Sequence, residues 1–256
     1  MPPYKVNVST VANKMNILIY GNQGSGKTYL AATAQDHKDM SPVLVLNTDG
    51  GLMTLAGRGD IDAEDVTSVK QLEEIFWKIQ EQDPVYKKYK TVIIDSVTEL
   101  QSLNLLELVN KNIKKKNQQN TRTQDDIYQE DYGKSTTQLR RVFRMFRDCP
   151  INTIMIALPK YKFPPGATDA ATLAEVMPSL TTKLGDSLMG FVDFVWYLYT
   201  EEDDKGKEVR KLLTRDHGVY RAKTRGIRFA EALGLVYEGP TIPDLYDLFL
   251  DSEVTY

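Results

Sequence analysis

Eight consecutive residues, Gly21-Asn22-Gln23-Gly24-Ser25-Gly26-Lys27-Thr28, have types and spacing that could do chemistry. They fit a glycine, four free positions and Gly-Lys-Ser/Thr, set between an apolar run and a helical pattern, which is the context this motif needs. The glycines let the backbone curl until successive N–H groups face one anion, and the helix start adds partial positive charge. Lys27 can reach the outer phosphates of a polyphosphate, and the Thr28 hydroxyl can ligate Mg²⁺. Tyr29 closes the set of phosphate-loop residues. The alternative is a chance glycine-rich turn.

Two acids stand at the ends of apolar runs. Val92-Ile93-Ile94-Asp95 places a carboxylate at the carboxyl end of a strand, beside the metal shell that Thr28 would share. Asp95 would hold a metal-bound water, and Ser96 follows in the same shell. The second run is Val43-Leu44-Val45-Leu46-Asn47-Thr48-Asp49-Gly50-Gly51. Asp49 there either orients and deprotonates an attacking water or caps the Gly50-Gly51 turn. Asp is one methylene shorter than Glu, so the first role implies a bridging water or slow turnover.

These residues need elements to hold them. Short apolar runs alternate with helical patterns, which predicts an α/β fold with a mostly parallel central sheet flanked by helices. Strands are expected at residues 15–20, 42–46, 91–94, 153–158 and 191–199. An antiparallel partner at 209–214 follows the Asp204-Lys205-Gly206 turn. Helices are expected from Lys27 to about Gln35, after Ser68 with Val69, Leu72, Ile75, Phe76 and Ile79 inward, and over 99–113 with Leu103, Leu106 and Ile113 inward. A further helix packs Leu139, Val142, Phe143 and Phe146 and turns Arg140, Arg144 and Arg147 outward. The stretches 114–132 and 160–177 read as polar or proline-rich loops, and helices near 229–233 and 243–250 close the chain.

The chain has 256 residues, 41% hydrophobic and 26% charged, which is globular rather than disordered composition. Its 32 basic and 35 acidic side chains leave a net charge of −3, excluding a uniformly basic body but not a local basic strip. One cysteine, Cys149, excludes a disulfide framework and a cysteine-based zinc site, and two histidines are too few for a histidine-rich metal site. With no signal-like start and no long apolar run, a soluble cytoplasmic protein without a membrane partner is expected.

Taken in order, these pieces resemble the RecA-like P-loop ATPase core from about residue 14 to residue 228. Ile94-Asp95-Ser96-Val97 looks like that family's acid-Ser-Val strand end, and Asn47-Thr48-Asp49 matches the place of its catalytic glutamate. Asp49-Gly50-Gly51-Leu52 and Asp131-Tyr132-Gly133 narrow the likeness to small phage nucleotide-binding proteins, some of which anneal single strands. The resemblance implies a single RecA-like domain over 1–256, with a short arm at 1–14, a core over about 15–228 and C-terminal helices over about 229–250. It implies ATP and Mg²⁺ as cofactors, and host cytoplasm if the chain is phage-encoded.

The resemblance also gives two loops a meaning. The first, roughly 111–130, holds Lys111, Lys114, Lys115, Lys116 and Arg122, with Tyr128 available to stack on a base. The second, 160–175, opens with Lys160, Tyr161, Lys162 and Phe163. Each either tracks single-stranded DNA or is a solvated charge run. Lys160 stands where the family often ends a strand in Gln that senses the outermost phosphate, a departure that unsettles nucleotide-to-DNA signalling. Lys223 and Arg225 in Tyr220-Arg221-Ala222-Lys223-Thr224-Arg225-Gly226 resemble the cation pair that RecA-like proteins insert into a neighbour's ATP site. They are either such a finger, which requires a homo-oligomer (ring or filament), or a basic edge strand. The short arm and the lack of an appended domain favour single-strand binding and annealing over strand exchange, with a single-strand-binding protein as a possible partner. The alternatives are a helicase loader or other motor acting through a protein partner, and a nucleotide-gated module with negligible hydrolysis.

Overall fold

Strand β1 (Asn16–Tyr20) shows why the chain builds a two-sided sheet. Leu18 and Tyr20 enter one hydrophobic core, while Ile17 and Ile19 enter the other. Successive side chains on a strand point to opposite faces, so a strand covered on both sides needs an unbroken apolar run. Strands β2 (Val43–Asn47), β4 (Thr91–Asp95) and β5 (Asn152–Ala157) repeat that logic and are buried along their whole length. The structure is a computed structural model that describes residues 14–114, 123–166 and 173–254.

The nine-stranded sheet has the order β11-β9-β8-β1-β5-β4-β2-β3, with β10 also paired to β8. Strands β8 (Phe194–Glu202), β1, β5, β4, β2 and β3 (Asp62–Asp65) run parallel. Strands β9 (Glu208–Leu213), β10 (Lys223–Thr224) and β11 (Val236–Glu238) add the antiparallel extension. Helices α2 (Val69–Gln80), α3 (Val97–Lys114), α4 (Gln129–Asp148) and α5 (Thr182–Phe191) cover one face. Helices α1 (Lys27–Ala32), α6 (Ile227–Leu233) and α7 (Ile242–Val254) cover the other. The expected α/β class, mostly parallel with an antiparallel C-terminal part, is the observed one. No helix among the described residues is long and apolar enough to cross a membrane.

Several local expectations need correction. In α3 the inward face is Leu100, Leu105, Leu108 and Val109, and Leu106 is exposed. An apolar-only reading missed it because Gln101 and Asn104 lie on the same face, where the Gln101 side chain pairs with Thr181 and the Asn104 amide with Gln138. Residues 160–177 are not simply a loop. β6 (Pro159–Lys162) and β7 (Glu175–Pro178) form an antiparallel pair, with residues 167–172 outside the described set. Phe191 ends α5 rather than opening a strand. Edge strand β3, Asp-Ala-Glu-Asp, carries almost no apolar signal, and its pairing with β2 is a backbone matter.

Candidate phosphate-binding site

The chain leaves the sheet at Gly21, so close to β8 that a Cβ there would lie 2.1 Å from the Leu198 carbonyl oxygen. That neighbour is backbone and cannot swing aside. Gly21→Ala is therefore expected to cost about 1–3 kcal/mol, lowering the melting temperature by roughly 2–10 °C. A variant that melts with the parent protein would show that the loop is not seated against β8. Gly26 holds a left-handed φ of +91°, which other residues resist. It is also crowded by Arg210 of β9, whose Nε would be 2.5 Å from a Cβ at this position.

Inside the loop, Lys27 is only 8% exposed and its ammonium donates to the Asn22 carbonyl at 2.7 Å. Burial lowers its pKa, while the charges of Asp95 and Asp49 oppose that shift. Thr28 Oγ1 donates to Asp95 Oδ2 at 2.6 Å. Asp95 is 7% exposed, and burial raises its pKa; the charge of Asp49 adds to the rise, and the Thr28 bond and Lys27 oppose it. Ser25 Oγ is buried and has no hydrogen-bond partner among the described residues. A buried orphan hydroxyl and a buried ammonium two residues apart in one loop suit an anion rich in acceptors. The Thr28 hydroxyl and Asp95 carboxylate are an all-oxygen donor set of the kind Mg²⁺ takes. The residues present therefore fit both a polyphosphate and Mg²⁺.

The strand ends set the second acid. Asn47 lies opposite Asp95 in the β2–β4 register. Beyond it, Thr48 N–H donates to the Asp95 carbonyl at 2.7 Å, and the Thr48 hydroxyl both donates to the Ser96 carbonyl and accepts from its N–H, each at 2.8 Å. Asp49 follows, exposed, near enough for its charge to act on Lys27 and Asp95. Its Oδ1 accepts from Gly51 N–H at 2.9 Å, so the turn-capping contact is present. The structure thus gathers Lys27, Thr28, Asp49 and Asp95 at the carboxyl ends of β1, β2 and β4.

Lys223 and Arg225 do not join that group within the chain. Lys223 pairs with Val195 near the start of β8, toward the amino ends of the parallel strands. Its ammonium donates to the Met189 carbonyl and, at 2.8 Å, to the Val192 carbonyl. Burial, then repulsion from Arg225, bring its pKa down to about 8. Arg225 pairs with Asp193 at 2.7 Å and donates to the Gly190 carbonyl at 2.9 Å. Both cations are satisfied at the carboxyl end of α5.

The basic loops are likewise partly neutralised. Lys111 pairs with Glu107, and Lys162 pairs with Glu175 at 2.6 Å. Lys160 has no ion pair among the described residues, and Lys115, Lys116, Arg122 and the side chain of Lys114 lie outside them. One contact escaped the sequence reading: the Tyr161 hydroxyl donates to Asn22 Oδ1 at 2.6 Å, tying the β6–β7 pair to the phosphate loop. Its only sequence trace is that Tyr161 alternates with Lys160 and Lys162. Beside this contact a cavity of about 750 Å³ opens between Asn22, Gln23, Gly24 and Ser25 and the tyrosines Tyr197, Tyr199 and Tyr220.

The sequence matches a family model described as an AAA domain over residues 13–226. No curated protein matches the chain.

Proposed function

The chain belongs to the AAA domain family, AAA_24, and from that premise we propose that it hydrolyses Mg-ATP and couples turnover to single-stranded DNA. At the family level it is a P-loop domain of the nucleotide-dependent ATPase type. The observation that carries the finer reading is the group of buried Lys27, half-buried Thr28 and buried Asp95, with Asp49 exposed near it. Thr28 and Asp95 would hold Mg²⁺, which supplies positive charge to the phosphates. Lys27 binds the outer phosphates, and the amides of residues 21–29 cradle the rest. Asp49, held to the Gly51 amide through Oδ1, keeps Oδ2 to orient a water and take its proton. A role for Lys223 and Arg225 across a homo-oligomer interface needs both to leave their contacts at α5.

The DNA half of the proposal is supported by the β6–β7 pair. Tyr161 and Phe163 are exposed there beside Lys160, and Tyr161 contacts the phosphate loop. Annealing, a single-strand-binding partner and a phage origin belong to this proposal. The ion pairs of Lys111 and Lys162 favour a second reading, a loader-type motor that acts through a protein partner.

Fluorescence anisotropy of a labelled oligonucleotide, with a non-hydrolysable ATP analogue present, separates the two. Binding should weaken with salt, and Lys160→Ala should reduce the log–log salt slope by about 0.7, the share of one phosphate contact on a single strand. No measurable binding at low salt removes the DNA half and leaves the ATPase half standing.

A further inference from the structure

Tyr29 is 55% exposed on α1, although the next three residues of that helix, Leu30, Ala31 and Ala32, are buried. Arg210 reaches across from β9, and its guanidinium carbon lies 5.8 Å from the centre of the Tyr29 ring. The same side chain covers Gly26, where any Cβ would collide with it. No ion pair or hydrogen bond holds the guanidinium among the described residues. A flat cation and a flat exposed ring thus stand together at the rim of the phosphate loop, and no acid among the described residues pairs with the cation.

We infer that Tyr29 and Arg210 form the seat of the nucleobase belonging to the triphosphate that the loop holds. The inference rests on the nucleotide reading of residues 21–29. Asp49 and Asp95, which act on the outermost phosphate in that reading, lie at the ends of β2 and β4. The nucleoside must therefore leave on the side of β1 away from β4 and β2, toward β8 and β9, and Arg210 of β9 stands there over the Tyr29 ring. Every base has a π-face, so an aromatic ring with an arginine beside it holds bases by area rather than by hydrogen-bonding edge. The seat accordingly favours purines over pyrimidines and treats ATP and GTP alike.

Calorimetric titration of the full chain with Mg-ATP, Mg-GTP, Mg-CTP and Mg-tripolyphosphate tests this. Tyr29→Ala should weaken ATP and GTP by about tenfold, the loss expected for one stacking contact. It should leave tripolyphosphate unchanged, and Tyr29→Phe should restore nucleotide affinity. Arg210→Ala should weaken ATP and GTP by about threefold, again sparing tripolyphosphate. Equal losses for tripolyphosphate would mean that the pair reads phosphate, and unchanged ATP affinity in both variants would mean that the base lies elsewhere. Either result overturns the seat but leaves the nucleotide reading intact. A parent protein that binds neither ATP nor tripolyphosphate overturns both.

Discussion

Lys27→Met is expected to bind Mg-ATP at least about a hundredfold more weakly, because two charge-assisted hydrogen bonds to phosphate, roughly 1.5–3 kcal/mol each, disappear. The fold should survive. Without nucleotide the ammonium is buried and donates to the Asn22 carbonyl, and burial already disfavours its charge. Methionine fills the space of the aliphatic stem and removes the buried charge, leaving the Asn22 carbonyl without that donor. The parent protein, at a nucleotide concentration of about a hundred times Kd, gains roughly 2.7 kcal/mol from the ligand. For a chain of this size that raises the melting temperature by several degrees. The variant should melt near the ligand-free parent and gain no more than about 0.4 kcal/mol from the same Mg-ATP. A variant with the same nucleotide response as the parent would remove Lys27 from the phosphate site.

The parts of this site that could be read from the sequence are those built on backbone. A phosphate loop is a run of adjacent residues, and its glycines are demanded by close approach to β8 and by positive φ. Asp49 and Asp95 were legible because parallel strands buried on both faces read as apolar runs, which make the next acid conspicuous. What stayed hidden depends on contacts between distant segments. Tyr161 and Asn22 are 139 residues apart, and nothing in either segment announces their hydrogen bond. Arg210 looks like any exposed hairpin cation until β9 is placed beside α1. Lys223 and Arg225 stand two apart in one basic run, yet β10 is two residues long and carbonyls at the end of α5 claim both side chains. The burial of Asp131, which accepts from Asn112 and from the Tyr128 backbone, likewise explains why α4 starts inside a polar stretch.

Asp95→Asn is expected to lower ATP turnover by about a thousandfold, the scale at which an enzyme loses a group that stabilises developing charge. Its effect on the ligand-free fold should have the opposite sign. Burial and the neighbouring Asp49 raise the Asp95 pKa above its unfolded value, so the folded state resists its ionisation. An acid shifted upward contributes fully to stability below its unfolded pKa, about 3.9, and loses that contribution as pH rises through the folded value. Asparagine does not ionise, and its side-chain oxygen can still accept from Thr28. The melting temperature of the variant relative to the parent should therefore climb as pH is raised from about 4 toward 7 in the absence of Mg²⁺. Mg-ATP should reverse the order, because only the parent has the carboxylate that the cation needs. Melting curves across that range, with and without Mg-ATP, test both signs. A parent protein more stable than the variant at neutral pH without Mg²⁺, or equal stabilisation of the two by Mg-ATP, would contradict this account. The buried carboxylate is then a charge the fold tolerates at a cost, and a bound cation beside Thr28 is what would offset it.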